Sequence, residues 1–357
     1  MLSTIYLRKD GRYEARIALG KDNTGKRQYR SVYGKTVEEA ERKLFAVSTH
    51  DYEITEITVK EITLEYITAL KPQIKESTLA NYRMKAEKHI ITVFGEEKCR
   101  DMTANKVTEF INNKIRHGLS ARYVADIVVL LKGIFRYASR VHNIRNPLDG
   151  IKAPKCNKAD VTVLSKGEQA RLLQYATSNS DLRSLGVVTA MYTGIRIGEL
   201  CALKWGDIDF DSKVIHVHRT LQRIQTSDGS KKTKIVITEP KSASSVRDIP
   251  IPECLMSLLL QYRKENDMYV LSGSCKPVEC RTVQYNFVKL LKNANLPSVH
   301  FHSLRHAFAT NAIALGFDIK TLSEILGHSR VEITLNRYVH SSLERKRKCM
   351  SLLTWVA

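Results

Sequence analysis

Thr193-Gly194-Ile195-Arg196-Ile197-Gly198-Glu199-Leu200 reads as a turn into a helix that carries a charge pair at its start. Gly194 lets the chain change direction, and Arg196 then sits near the helix N-terminus. Glu199, three residues on, shares its face and can hold the guanidinium. Alone, the pair would be an ordinary surface ion pair, so its meaning depends on the residues downstream.

Three further clusters lie there. Pro240-Lys241-Ser242 leads into Ser244-Ser245-Val246-Arg247-Asp248-Ile249-Pro250, and Lys241 falls in a turn between two predicted strands. A mobile ammonium there can approach a leaving oxygen, although Lys231, Lys232 and Lys234 occupy the same region. In His302-Ser303-Leu304-Arg305-His306, the three-residue step places His302 and Arg305 on one helix face. Arg305 offers a forked donor to phosphate oxygens, and His302 exchanges protons near neutral pH. His306 is expected off that face, as a packing or supporting residue. No Glu separates the histidines as a zinc-protease helix requires. Finally Leu326-Gly327-His328-Ser329 precedes Tyr338, one of 15 tyrosines, by ten residues counted from His328.

Outward from these clusters, the chain of 357 residues divides into three parts. Residues 1–52 predict three strands, Thr4–Arg8, Tyr13–Leu19 and Arg27–Val32, with turns at Asp10-Gly11 and Asn23–Gly25. A helix comes next, opened by Thr36 with Glu39 three residues later. The strands carry Arg8, Arg12, Arg16, Lys26, Arg27 and Arg30, so this small sheet is a candidate reader of a DNA groove. Residues 57–148 predict helices only: one from Ser77 or Thr78 through Ile90, one from Thr103 to near Gly118, and a long one from Ser120. In the long helix Val124, Ile127, Val128, Leu131, Ile134, Phe135 and Ala138 form a stripe that belongs in a core. Asn146-Pro147 ends it, and Gly150–Val161 reads as a polar, basic linker. Residues 160–357 predict helices interrupted by strands at Val214–His218, Lys234–Thr238 and Asp248–Ile251. The fold class is therefore multidomain and mainly α with small β parts.

Composition narrows the partner. Lys and Arg outnumber Asp and Glu 57 to 37, a formal charge of +20, which points to a polyanion, with nucleic acid the commonest. An anionic membrane fits poorly, because the basic residues are spread over the whole chain. The charged N-terminus does not resemble a signal peptide, and no apolar run reaches the roughly 20 residues of a membrane helix. Seven irregularly spaced cysteines suggest reduced thiols in a cytoplasmic protein.

Together the clusters resemble the signature of the tyrosine recombinases, the integrase family that includes phage lambda integrase and the Xer proteins. The family's first arginine corresponds to Arg196 and its hairpin lysine to Lys241. Its His-x-x-Arg box corresponds to His302 and Arg305, its later His or Trp to His328, and its nucleophile to Tyr338. The helical middle resembles the family's core-binding domain, and the N-terminal sheet resembles the arm-binding domain of phage and conjugative-transposon integrases.

The resemblance implies that Tyr338 attacks a backbone phosphate of double-stranded DNA, forms a 3′-phosphotyrosyl link and expels a 5′-hydroxyl. Arg196 and Arg305 would bracket the transition-state charge, His302 would accept the tyrosine proton, His328 would donate a hydrogen bond and Lys241 would protonate the leaving oxygen. Glu199 and His306 would support them. No metal or other cofactor is expected. Core and arm DNA sites, a homotetramer on DNA, and an excisionase and a host DNA-bending protein are the implied partners, in the cytoplasm at the bacterial nucleoid. A DNA-binding architectural protein that kept this fold without its chemistry is the alternative. Beyond Tyr338, a basic run gives way to Met350, Leu352, Leu353, Trp355 and Val356, a tail able to pack on its own domain or on a neighbouring protomer.

Overall fold

The computed structural model describes residues 4–21, 27–50, 56–156, 162–179, 181–226, 233–239, 243–338, 347 and 350–351. It forms two compact units, Met1–Lys158 and Ala159–Ala357.

The first unit opens with an antiparallel sheet in the order β1 (Thr4–Leu7), β2 (Tyr13–Lys21) and β3 (Arg27–Gly34), followed by helix α1 (Val37–His50). Because side chains alternate across a strand, the register Ile5↔Ala15 and Ala15↔Val32 gathers one apolar face. That face packs on Ala40 and Leu44 of α1. The opposite face presents Tyr6, Glu14, Arg16, Ser31 and Tyr33. Gly11 takes φ +81° in the first turn, as the Asp-Gly pair predicts, whereas Asn23–Gly25 lie outside the described residues. The cap of α1 differs slightly from expectation. Thr36 Oγ1 accepts from the Glu39 N–H at 3.2 Å, but the Glu39 carboxylate reaches back to the N–H of Lys35, not to that of Thr36.

A separate helical core comes next, built from α2 (Val59–Leu70), α3 (Glu76–Lys85), α4 (Thr92–Phe94), α5 (Ala104–Arg116) and α6 (Ala121–Val141). The predicted helix ending at Ile90 runs further, since a π-helical turn over Ala86–Ile91 joins α3 to α4. Ser120 caps α6, and its stripe from Val124 to Ala138 is buried as its spacing requires. Burying the Val, Ile, Leu and Phe side chains that α6 supplies is worth about 1.5–3 kcal/mol each.

The second unit contains α7 (Lys166–Ser178), α8 (Leu182–Thr193), α9 (Ile197–Ala202), β4 (Ile208–Asp209), β5 (Val214–Val217), β6 (Thr220–Gln225), β7 (Thr233–Thr238), β8 (Arg247–Pro250), α10 (Glu253–Tyr262), α11 (Cys280–Asn293), α12 (His302–Ala314), α13 (Ile319–Leu326) and α14 (Val331–Tyr338). Three strands were expected, and five are present among the described residues. β4, β5 and β8 form one sheet, and β7 pairs with β6 as a separate hairpin. β6 escapes sequence reading because its buried residues, Leu221 and Ile224, are three apart and break the two-residue period. The core centres on Trp205, Phe287, Leu185 and Ile195, packed among α8, α9, α11 and β5. Among the described residues no helix is long and apolar enough to cross a membrane.

Candidate active site

Three chain breaks position the charged side chains of the second unit. The first is Gly194, which ends α8 in the left-handed region at φ +62° and ψ +18°. Glycine is required there twice over. Other residues are strained at this φ, and a Cβ would stand 2.5 Å from Phe308 Cδ1 and 2.9 Å from Leu326 Cδ2. Arg196 then becomes the N-cap of α9, as the sequence predicted, and Glu199 closes a box on it. The Glu199 carboxylate accepts from the Arg196 N–H at 3.0 Å and from its Nη1 at 2.8 Å.

The second break is Gly327, which ends α13 at φ +63°. A helix terminus leaves its last carbonyls without N–H partners and concentrates negative charge there. The turn recovers two: Gly327 N–H donates to Glu324 O at 2.9 Å and His328 N–H to Ser323 O at 3.0 Å. The next three carbonyls each receive a different arginine. Arg247 Nε donates to Ile325 O at 2.5 Å, Arg305 Nη2 to Leu326 O at 2.5 Å and Arg196 Nη2 to Gly327 O at 2.7 Å. Arg305 Nη1 also donates to Gly194 O at 2.7 Å, tying the two glycine turns to one buried guanidinium. Charge-assisted bonds of this kind are roughly twice as strong as neutral ones.

Glu199 is the counter-charge. Its carboxylate is 3% exposed and also accepts from Arg247 Nη2 at 2.9 Å. Burial alone would push the carboxyl up. The hydrogen bond and charge of Arg247, with Arg196 adding to them, hold it below the ordinary carboxylate range.

The third break is the start of α12. His302 is its first residue and is exposed, whereas Arg305 one turn later is buried. His306 was expected away from His302. In the structure its buried ring stands edge-on to the His302 ring, 4.8 Å between centroids. Four residues of α-helix turn about 400°, which brings positions 302 and 306 back to within about 40° of each other. His328 comes directly after Gly327, half-buried, with Nδ1 2.8 Å from Thr334 Oγ1 on α14. Tyr338 is the last residue of that same helix. The structure thus gathers Arg196, Arg305, His328 and Glu199 around the end of α13, while Lys241 lies outside the described residues. Arg247 was quoted within a motif but given no role. The strand predicted from the sequence starts one residue later, at Asp248, whereas β8 begins at Arg247 and buries it with Ile249 on one face.

The N-terminal basic residues are arranged differently. Arg8 and Arg16 donate to the Glu14 carboxylate at 3.0 and 2.8 Å, and Arg12 pairs with Asp10 at 2.8 Å. Arg8 and Arg12 also lie over the Tyr33 ring and Arg16 over the Tyr6 ring, 5.3–5.6 Å from the centroids. The Arg16 hydrogen bond, then those of Ser31 and Arg8, hold the Glu14 carboxyl down at about 2. The side chains of Arg27 and Arg30 lie outside the described residues.

Comparison with known proteins supplies independent evidence. Residues 162–345 match the model of the phage integrase family, and residues 58–115 match the SAM-like N-terminal domain of phage integrases. A tyrosine recombinase XerC-like protein of Caldanaerobacter subterraneus subsp. tengcongensis is 27% identical, covering 96% of this chain and 95% of its own length. The ICEBs1 integrase of Bacillus subtilis is also 27% identical, over 77% of each chain. The fold resembles a Tn1549 transposon integrase fragment solved with circular intermediate DNA, with a TM-score of 0.69 and 23% identity. That match covers 84% of this chain and all of the other. The glycine-capped arginine cluster, the helical domain before it and these matches agree that the chain belongs to the phage integrase family of tyrosine recombinases.

Proposed function

We propose that the protein is a site-specific integrase that cuts and rejoins DNA through a 3′-phosphotyrosyl intermediate, moving an element of the conjugative-transposon kind. The observation that carries this reading is the convergence of Arg196, Arg305 and His328 on the end of α13, directly before the helix that ends at Tyr338. Two guanidinium groups fixed before substrate arrives match a reaction whose barrier is the charge on a transferring phosphoryl group. Arg196 is a third exposed, and Glu199 and Gly327 O use two of its five donors, which leaves donors for phosphate.

In this reading Tyr338 is the nucleophile, His302, propped by His306, takes its proton, and Lys241 protonates the leaving 5′-oxygen. The N-terminal sheet face bearing Arg8, Arg12 and Arg16 reads arm sites, with Arg27 and Arg30 beside them, and the helical domain holds core sites. The domains then run 1–52, 57–148 and 160–357. The active assembly is a tetramer on DNA in the bacterial cytoplasm, with an excisionase and a DNA-bending protein setting direction. Lambda integrase, of related fold, has been solved as a tetramer on a Holliday junction. An apolar cavity of about 710 Å³, lined by Leu173, Met191, Phe308, Leu315, Phe317 and Ile325, is a place where the apolar tail of this or a neighbouring protomer could dock, and tetramer assembly separates the two. If the tail docks on the neighbour, deletion of residues 345–357 should abolish tetramer bands in a gel shift; unchanged tetramers would refute that docking.

The chemical reading is tested with a nicked suicide duplex carrying the site the protein protects from nuclease. The expected result is a covalent protein–DNA adduct that Tyr338→Phe abolishes. Site-specific protection without any adduct would instead identify an architectural DNA-binding protein.

A further inference from the structure

We propose that Arg247 is a positioning residue for the recombination chemistry, setting the placement of Arg196 and His328 without touching the DNA. The proposal rests on the recombinase reading above. Its basis is that every nitrogen of the Arg247 guanidinium is engaged by protein. Nε donates to Ile325 O at 2.5 Å, Nη1 to Ser245 O at 3.2 Å and Nη2 to Glu199 at 2.9 Å. The side chain is 5% exposed, and all three of its nitrogens already serve protein acceptors.

Two sides of Arg247 connect it to the site. Through Glu199 it braces Arg196, because the same carboxylate holds both the backbone N–H and the Nη1 of Arg196. Through Ile325 O it fixes the end of α13, two residues before the left-handed turn from which His328 leaves the helix. Gly327 is shaped for this contact. A Cβ there would meet Arg247 Cδ at 2.9 Å and Nη1 at 3.1 Å, so the arginine passes where any other residue would place its side chain. Glu199 flanked by Arg196 alone would be a buried carboxylate with one charge partner, free to draw Arg196 out of line. A second arginine that is unavailable to substrate keeps Glu199 satisfied and leaves part of Arg196 for phosphate.

The test compares single-turnover adduct formation on the nicked suicide duplex for wild type, Arg247→Gln, Arg247→Lys, Glu199→Gln and the double variant Glu199→Gln/Arg247→Gln. Gel-shift affinity and the thermal midpoint are read for each. Losing a charged hydrogen-bond network should slow Arg247→Gln about 10- to 100-fold while DNA affinity changes by less than about 2-fold. Lysine restores the charge but reaches fewer acceptors, so Arg247→Lys should recover part of the rate. Because Arg247 and Glu199 act as one unit, the double variant should be slower than wild type by far less than the product of the two single losses. Wild-type rates in Arg247→Lys and Arg247→Gln would overturn the proposal, as would multiplicative losses in the double variant. If Arg247→Gln fails to fold, the lysine variant decides alone, a wild-type rate refuting the proposal and a reduced rate at unchanged affinity supporting it. No adduct with the wild type would instead overturn the recombinase reading itself.

Discussion

The arginines of the N-terminal sheet and those around the end of α13 carry the same group and do opposite things with it. On the sheet, Arg8, Arg12 and Arg16 are exposed, stacked over tyrosines and tethered to Glu14 or Asp10. Around α13, Arg247 and Arg305 are buried and Arg196 half-buried, and their partners include the backbone carbonyls of a helix end. An exposed guanidinium keeps much of its water even when paired, so it contributes salt-dependent attraction to a polyanion and little stability. A buried one has lost its water and must be held by fixed partners, so it contributes geometry. The difference between the two sets is desolvation, not charge.

Substitutions can break or sharpen that contrast. Arg305→Gln should cost about 10²–10³ in adduct formation, the scale of losing one preorganised donor to a charged transition state, with affinity for the DNA site less affected. If cleavage and affinity fell together, Arg305 would be behaving like a sheet arginine. Glu199→Gln should destabilise the second unit by about 3 kcal/mol at neutral pH, since it leaves buried guanidinium charge without its counter-charge. The pH sign comes from the lowered pKa of Glu199. Its stabilisation is complete above the unfolded-state value and is lost as pH falls through the folded one. Urea midpoints of wild type and Glu199→Gln should therefore converge as the pH drops below the carboxylate range, and a constant gap would refute the assignment.

Gly194→Ala should cost about 1–3 kcal/mol through left-handed strain, and more if Phe308 cannot shift, read as a lower calorimetric midpoint. Smallest is Arg16→Ala. It should leave the thermal midpoint nearly unchanged, weaken DNA binding a few-fold, and reduce the slope of log affinity against log salt by about 1. A large loss of stability there would show that Glu14 is a structural ion-pair centre and not an organiser of an exposed face.

The α6 stripe is legible in the sequence because seven apolar positions recur at helical spacing, a signal set by local geometry; Leu130, buried beside them, falls outside that pattern. Arg196 and Glu199, three apart on one short helix, are legible likewise. The strand β6, whose buried residues break alternation, is missed, and His306, expected off the face of His302, instead meets its ring while packing in the interior. Arg247 is given no role, because nothing near residue 247 announces a partner at 199 or 325.

Local order in the sequence was enough to mark the long helices, the glycine turn at 194 and the Arg196–Glu199 pair. Only the tertiary structure decided which arginine meets which carbonyl, and so which guanidinium is buried and which retains donors for phosphate. The physical reason is that Arg196, Arg247 and Arg305 are held at the end of α13 by contacts spanning from 21 to 131 residues of chain. Burial and electrostatic pairing at that range depend on how the helices pack, and a linear pattern of charges does not carry that information.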